Sequence, residues 1–172
     1  ARYRIDAHRI GVMGFSAGGH LGMMAAAYSH TDFLRLARIY TNVSLRPDFV
    51  AAIYPVVTMS ACSVHKRSRR GLLGEWRKHN HIMQDSLSVE RHIPTDCPPV
   101  FIVNCKDDPV VDCHNSMLLD SALTSRHIPH KYIRYNTGGH GFGMNPAKGS
   151  AECREWKNEF IKWFQNIFDN GK

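Results

Sequence analysis

The sequence predicts an α/β protein built on a mostly parallel, doubly wound sheet. Three segments are apolar without alternation, as in strands that are covered on both faces: 10–15, 50–57 and 100–105. Helical segments lie between and after them at 18–29, 115–125 and 152–168, and the last of these has apolar side chains at helical spacing. Strands that alternate with helices favour a parallel sheet with helices packed on both of its faces.

Two further segments complete the predicted domain. Residues 131–135 form a fourth, weaker strand candidate. The stretch 58–98 fits neither the helical nor the strand period, and it separates two strands by far more residues than a crossover needs. We therefore expect one domain over 1–172 with a lid-like insertion at about 58–98, covering the functional edge of the sheet.

Composition excludes several classes of protein. The 172 residues are 43% hydrophobic, which is typical of a globular domain. No run of apolar residues is long enough to span a bilayer, so no membrane partner is predicted. The five cysteines show no paired spacing, which favours free thiols, with Cys105 in the core, and no metal site or cofactor is predicted.

The formal net charge of +7 is partly concentrated in the basic cluster, residues 65–70, which reads His-Lys-Arg-Ser-Arg-Arg. Such a cluster could attract nucleic acid, an anionic surface or an acidic polymer. No aromatic residues interleave with it and no nucleic-acid motif accompanies it, so a solvated loop and no nucleic-acid partner are predicted.

A nucleophile motif follows the first predicted strand. Gly14 and Gly18 flank Ser16 in the pattern G-x-S-x-G, between an apolar strand and a helix-forming segment. This context is that of a strand-to-helix turn that presents a serine hydroxyl above a sheet. We expect glycine at both flanking positions because a Cβ at either would collide with the bent backbone.

A serine nucleophile needs a base and a carboxylate, and both follow later strands. Asp107 and Asp108 come directly after 100–105, and we choose Asp108, although either could instead be a turn or cap residue. His140 lies among four glycines after the fourth strand candidate. His20 belongs to the helix leading away from Ser16, and we expect it to pack beside the site or bond a nearby loop.

These motifs resemble those of the bacterial acetyl esterase and acetylxylan or feruloyl esterase-like α/β-hydrolases. The resemblance runs almost end to end through five segments: 9–21, 54–59, 72–74, 107–111 and 138–143. It implies the α/β-hydrolase fold with Ser16, Asp108 and His140 as the catalytic triad. The family's acidic motif D-x-x-V-P aligns with Asp108 and Val111, and Asp112 replaces the proline.

The resemblance also concerns the oxyanion hole. It implies that the backbone N–H of Ala17 is one donor and that a His-Gly-Gly-Gly-type loop in an N-terminal half provides the second. No such loop precedes Ser16 here, so the N-terminal strands and the second donor are expected to be missing from this chain. We therefore expect the isolated chain to be impaired.

The resemblance implies a serine carboxylic-ester hydrolase that acts through an acyl-enzyme intermediate. Its expected partners are small-molecule or carbohydrate esters, in particular acetyl or feruloyl groups on plant polysaccharides or oligosaccharides. Two alternatives remain at this point. One is a serine peptidase of the same fold, and the other is a non-catalytic remnant whose basic cluster binds acidic glycans.

Overall fold

The computed structural model describes residues 4–31, 33–60 and 62–169. In that part of the chain, four strands form one sheet in the order β1-β2-β3-β4, and all neighbours are parallel. The strands are β1 (Val12–Phe15), β2 (Val50–Ile53), β3 (Val100–Cys105) and β4 (His130–Tyr135). Their carboxyl ends therefore meet at one edge. Residues 1–3 and 170–172 of the predicted domain lie outside the described residues.

Six α-helices connect or follow the described strands. They are α1 (Ala17–Ala27), α2 (Phe33–Leu36), α3 (Lys66–Arg77), α4 (His81–Ser86), α5 (His114–Ser125) and α6 (Trp156–Asp169). Two 3₁₀ turns, Val89–Arg91 and Cys153–Glu155, precede β3 and α6. Across the described residues, none of the helices combines the length and the apolar character that crossing a bilayer requires.

Side chains of the central strands alternate between two apolar cores, one on each face of the sheet. On one face, Val50 packs with Met23 of α1 and Leu119 of α5. On the other face, Phe101 packs with Trp163 of α6. Full burial of such a side chain contributes about 1.5–3 kcal/mol to stability. The predicted doubly wound arrangement, with helices on both faces of a parallel sheet, is confirmed.

Strand β1 is only partly covered, and the expectation that 10–15 is buried on both faces is wrong. Ile10, Val12 and Met13 are 53%, 36% and 39% exposed. Among the described strands, β1 pairs only with β2, so its outer side has no neighbour there. The apolar pattern correctly indicated a strand, but a local pattern carries no information about which neighbours cover it.

The basic cluster is helical, and its prediction as a solvated loop is wrong. Lys66 begins α3, which continues to Arg77 with a non-helical residue at Gly74 (φ 75°, ψ 174°). Leu73 is the buried residue that attaches this helix to the protein. Charged residues dominate this helix, which makes a solvated loop the simpler interpretation of the sequence, although Leu72, Leu73 and Trp76 follow a helical period.

Candidate active site

Ser16, Asp108 and His140 meet at the carboxyl edge of the sheet, each on the segment that follows a strand. Nε2 of His140 lies 2.9 Å from Oγ of Ser16. Nδ1 of the same ring lies 2.6 Å from Oδ2 of Asp108. The structure thus brings together the three side chains that the sequence singled out, in one continuous hydrogen-bonded chain.

The tautomer of His140 follows from its partners. An ionised carboxylate can only accept hydrogen bonds, so Nδ1 of His140 carries the proton and donates to Asp108. In a neutral imidazole the other nitrogen then bears a lone pair, so Nε2 accepts from the Ser16 hydroxyl. This arrangement allows Nε2 to take a proton from Ser16 Oγ.

Asp108 is almost completely buried, with its side chain 1% exposed. Its second oxygen, Oδ1, accepts from the amides of Val110 at 2.8 Å and Val111 at 3.0 Å. Burying a carboxylate is costly unless hydrogen bonds replace its water, and these donors together with His140 do so. Asp112, which replaces the proline of the family motif, accepts from the amide of His114 at 2.9 Å and leaves Asp108 in place.

The backbone of Ser16 is strained. Its φ of 55° and ψ of −118° lie where residues with a side chain are rarely found. Its amide donates to the carbonyl of Ile53 at 2.9 Å, and its carbonyl accepts from the amide of Val56 at 3.1 Å. Strain of this kind costs on the order of 1–3 kcal/mol and persists only when surrounding contacts enforce it. Here the chain at the end of β2 provides those contacts.

The two glycines that flank Ser16 differ in what they permit. A Cβ on Gly14 would lie 2.0 Å from the carbonyl oxygen of Gly18, so glycine is required there. A Cβ on Gly18 would meet nothing within 4 Å. The expectation that both positions exclude a side chain is therefore wrong for Gly18, because a Cβ there would extend into open space. The second constrained position is Gly19, where a Cβ would lie 2.9 Å from Cβ of Pro55.

Asp107, the aspartate that the sequence analysis does not choose for the triad, binds the loop that carries His140. Its Oδ1 accepts from the amide of Gly139 at 2.9 Å, and its Oδ2 accepts from the amide of Gly138 at 3.2 Å. The sequence leaves open that this aspartate is a turn residue. No local sequence signal indicates that its two oxygens accept hydrogen bonds from amides 31 and 32 residues later in the chain.

Tyr54 supports the imidazole and was not predicted as a site residue. Its ring centroid lies 4.7 Å from that of His140 and 4.6 Å from that of Phe142. Its hydroxyl is hydrogen-bonded to the backbone of Gly143. Burial raises the pKa of Tyr54, and the negative charge of Asp108 raises it further, so the phenol is neutral at pH 7.

His20 lies beside the site without joining it, as expected. The side chain is buried, and Nε2 donates to the carbonyl of Leu87 at 2.8 Å. Burial lowers the pKa of His20, although the bond to Leu87 opposes this effect. Through this hydrogen bond, the neutral imidazole of His20 attaches Leu87, just before the 3₁₀ turn Val89–Arg91, to helix α1.

A cavity of about 370 Å³ adjoins the serine turn. Its walls come from the start of α1, from the end of the buried segment after β2 and from α3: Ala17, His20, Leu21, Met59, Ser68, Gly71 and Leu72. The amide of Ala17 is at the first position of α1, where helical N–H groups have no partner within the helix. The cavity therefore offers a mostly apolar space beside Ala17, the residue that directly follows Ser16.

Among the described residues, one group of side chains could hold a metal ion. Ligand atoms of Asp112, Cys113 and His114 lie within 4.8 Å of one another. Nδ1 of His114 is already hydrogen-bonded to Oδ1 of Asp112 at 2.7 Å, and both residues are exposed. We assign no metal to this group. The five cysteines are free, as predicted, and Cys105 is fully buried.

The fold and the order of these residues define the class of protein. A parallel sheet with helices on both faces, a serine on the turn after a strand, and the chain order Ser, Asp, His are those of the α/β-hydrolases. Within this class, the chain belongs to the BD-FAE family, whose model matches residues 1–123.

Two known proteins share sequence with most of the chain. Endo-1,4-beta-xylanase B of Butyrivibrio fibrisolvens is 34% identical over 142 residues, which are 82% of this chain and 22% of the relative. Acetylxylan esterase of Xylanibacter ruminicola is 31% identical over 149 residues, which are 83% of this chain and 28% of the relative. The chain thus spans less than a third of the length of either protein.

Solved structures share the fold. The acetyl ester-xyloside bifunctional hydrolase of Caldicellulosiruptor lactoaceticus superimposes with a TM-score of 0.82 at 32% identity, over 95% of this chain and 58% of that one. The carboxylesterase Cest-2923 of Lactobacillus plantarum gives a TM-score of 0.75 at 21% identity, over 96% of this chain and 61% of that one. The second similarity is one of fold alone.

Proposed function

We propose that this chain carries the triad of a serine carboxylic-ester hydrolase. Ser16 is the nucleophile, His140 is the general base and acid, and Asp108 orients the imidazole. The observation that carries the proposal is the position of His140, whose two ring nitrogens lie 2.9 Å from Ser16 Oγ and 2.6 Å from Asp108 Oδ2. Two nitrogens of one ring, bonded to a hydroxyl and to a buried carboxylate, match the requirements of an activated serine.

The reaction proceeds in two steps. Ser16 Oγ attacks the acyl carbon while its proton passes to Nε2 of His140, and the imidazolium then gives that proton to the departing alcohol oxygen. The resulting acyl-Ser16 is attacked by water, whose proton goes to Nε2 and then returns to Ser16 Oγ as the carboxylic acid leaves. General base and acid catalysis of this kind contributes typically about 10²–10⁴-fold.

Negative charge develops on the acyl oxygen in both steps. In this proposal the amide of Ala17, at the amino end of α1, donates to that oxygen, and the helix dipole favours the same charge. We propose that this chain alone supplies one of the two oxyanion donors of its fold. Because the loss of one donor costs about 10²–10³ in rate, we expect slow turnover that still depends on Ser16.

The substrate class is proposed from the relatives. Acetylxylan esterase and an acetyl ester-xyloside hydrolase are among the proteins that this chain resembles at more than 30% identity. Acetyl or feruloyl esters of plant polysaccharides and oligosaccharides are therefore the proposed substrates. The cavity beside Ala17, with walls that include Leu21, Met59 and Leu72, fits an acyl group or sugar ring without charge.

Hydrolysis of 4-nitrophenyl acetate by the purified chain tests the proposal. We expect activity in the wild type and in a Ser125→Ala control, whose hydroxyl lies at the end of α5 and bonds Ala122. We expect the uncatalysed rate in Ser16→Ala. Equal rates for wild type and Ser16→Ala would reject the triad and favour a non-catalytic role, and faster cleavage of a peptide anilide would favour a peptidase.

A further inference from the structure

The first turn of α3 concentrates positive charge at its exposed side. Lys66 and Arg67 open the helix, both are exposed, and the turn contains no acidic residue. The amino end of a helix carries a partial positive charge, so cations are unfavourable there. The helix would be more stable with acidic residues at these positions. The arrangement therefore points to a negative charge that comes from outside the helix.

Neighbouring cations of the same helix are already occupied, whereas these two are not. Arg70 forms an ion pair with Glu75, and Arg69 donates to the carbonyl of Met59 at 3.4 Å. Lys66 and Arg67 have no ion pair with any residue that the structure describes. Their charges are thus available to a ligand.

The helix that carries these charges borders the proposed catalytic site. Ser68 and Gly71, which follow in the same helix, line the cavity that also contacts Ala17. His65, just before the helix, bonds Ser68 through Nδ1 at 2.8 Å. Burial lowers the pKa of His65, the positive charge of Arg67 lowers it further, and the negative charge of Asp108 opposes this effect. His65 is therefore within electrostatic range of both the triad and the first turn of α3.

We infer that Lys66 and Arg67 form a subsite for a carboxylate that is carried by the alcohol part of the ester substrate. The inference rests on the proposed function, since it concerns which ester binds at the same site. Acetyl and feruloyl groups carry no carboxylate, so an anion bound beside the cavity belongs to the sugar portion. A uronic acid substituent on an acetylated oligosaccharide has the required chemistry.

The expected size of the effect follows from exposed ion pairs. Each such pair contributes at most about five-fold in binding, because solvent and side-chain entropy oppose it. Arginine can add a bidentate contact to a carboxylate. Two cations together predict a preference of about ten-fold for the acidic substrate. Since the Debye length falls from about 10 Å at 0.1 M salt to about 3 Å at 1 M, the preference must decrease with salt.

Acetate release from two acetylated xylo-oligosaccharides of equal length tests the inference, one with a glucuronic acid substituent and one neutral. We expect kcat/KM of the wild-type chain to favour the acidic substrate by about ten-fold at low salt. The ratio should approach one in about 0.5 M NaCl. In the double variant Lys66→Gln/Arg67→Gln, the ratio should approach one at low salt as well.

A matched control removes two charges away from the cavity. Arg126 lies at the end of α5, and Lys162 lies on α6, where it pairs with Glu159 at 3.2 Å. The variant Arg126→Gln/Lys162→Gln should keep the wild-type preference. An equal loss in this control would assign the preference to the net charge of +7 and reject the subsite. Equal kcat/KM for the two substrates in the wild type would reject it too.

Binding separates this inference from the proposed function. Failure of Ser16-dependent hydrolysis of 4-nitrophenyl acetate counts against the triad and leaves the subsite to be decided by calorimetry. There, the Ser16→Ala chain is titrated with the deacetylated acidic and neutral oligosaccharides. Tighter binding of the acidic one, lost in the variant that also carries Lys66→Gln/Arg67→Gln, supports the subsite. Equal affinity for both oligosaccharides overturns it.

Discussion

The carboxylate of Asp107 accepts a hydrogen bond from the amide of Gly139 at 2.9 Å, one residue before His140. The adjacent Asp108 binds the His140 ring itself at 2.6 Å. Two neighbouring residues at the end of β3 therefore divide two tasks between them. One fixes the position of the histidine loop, and the other fixes the orientation and tautomer of the imidazole.

This division predicts different losses on mutation. In Asp108→Asn the amide cannot hold the protonated Nδ1 in the same way, and we expect kcat for 4-nitrophenyl acetate to fall by about 10⁴. In Asp107→Ala the imidazole keeps its partner but the loop loses two hydrogen bonds, so we expect a fall of about 10–10² from misplacement. Asp107→Asn should recover part of this loss, since its amide oxygen still accepts. Equal losses in Asp107→Ala and Asp108→Asn would contradict the assigned roles.

The glycines of the serine turn predict a difference in stability. A Cβ on Gly14 meets the backbone at 2.0 Å, so Gly14→Ala should lower the free energy of unfolding by about 3 kcal/mol or more. For a domain of this size, this is a Tm lower by at least about 6 °C. Gly18→Ala meets open space within α1, where alanine is the better helix former, so its Tm should be equal or higher. Similar destabilisation of both variants in thermal melts would show that the turn differs from this geometry.

A structural element or site residue can be predicted from the sequence when its signal lies in a short segment of the chain. Ser16 stands in a five-residue motif between a strand and a helix, and the residues after β3 and β4 follow from strand order, so these positions could be predicted. The roles of Asp107 and Tyr54 depend on contacts across the fold and leave no local pattern. The helix α3 was missed because its charged residues outnumber its apolar ones and only Leu73 is buried.

Tyr54 predicts that packing against the imidazole matters more than the phenol. Tyr54→Phe keeps the ring against His140 and loses only the bond to the backbone of Gly143, so kcat should fall by less than about five-fold. Tyr54→Ala removes the ring and leaves a space beside the imidazole, with an expected cost in stability of about 3–5 kcal/mol and a larger fall in kcat. Equal kcat in the two variants would exclude a supporting role for the ring.

The buried His20 predicts a loss of stability in mild acid. Because burial lowers its pKa in the folded chain, the unfolded chain binds more protons below about pH 6.5. The contribution of neutral His20 is therefore present above that pH and is lost as the pH falls through the lower, folded pKa. The Tm of the wild type should fall between about pH 7 and pH 5 by more than that of His20→Gln, whose amide can still donate to Leu87.

A surface histidine provides the control for this measurement. His79 is exposed, so His79→Gln should follow the wild-type pH dependence of Tm. If His20→Gln and the wild type lose the same Tm over this range, the imidazole of His20 is not held neutral in the folded chain.

Covalent labelling of the purified chain by a fluorophosphonate is the most direct test of the central claim. The reagent forms a stable adduct only with a serine whose hydroxyl is activated, and digestion followed by mass spectrometry locates the adduct. The geometry around His140 predicts one adduct, on Ser16, which is absent in Ser16→Ala and forms much more slowly in His140→Ala. No adduct in the wild type, or an adduct on another serine, would contradict the claim.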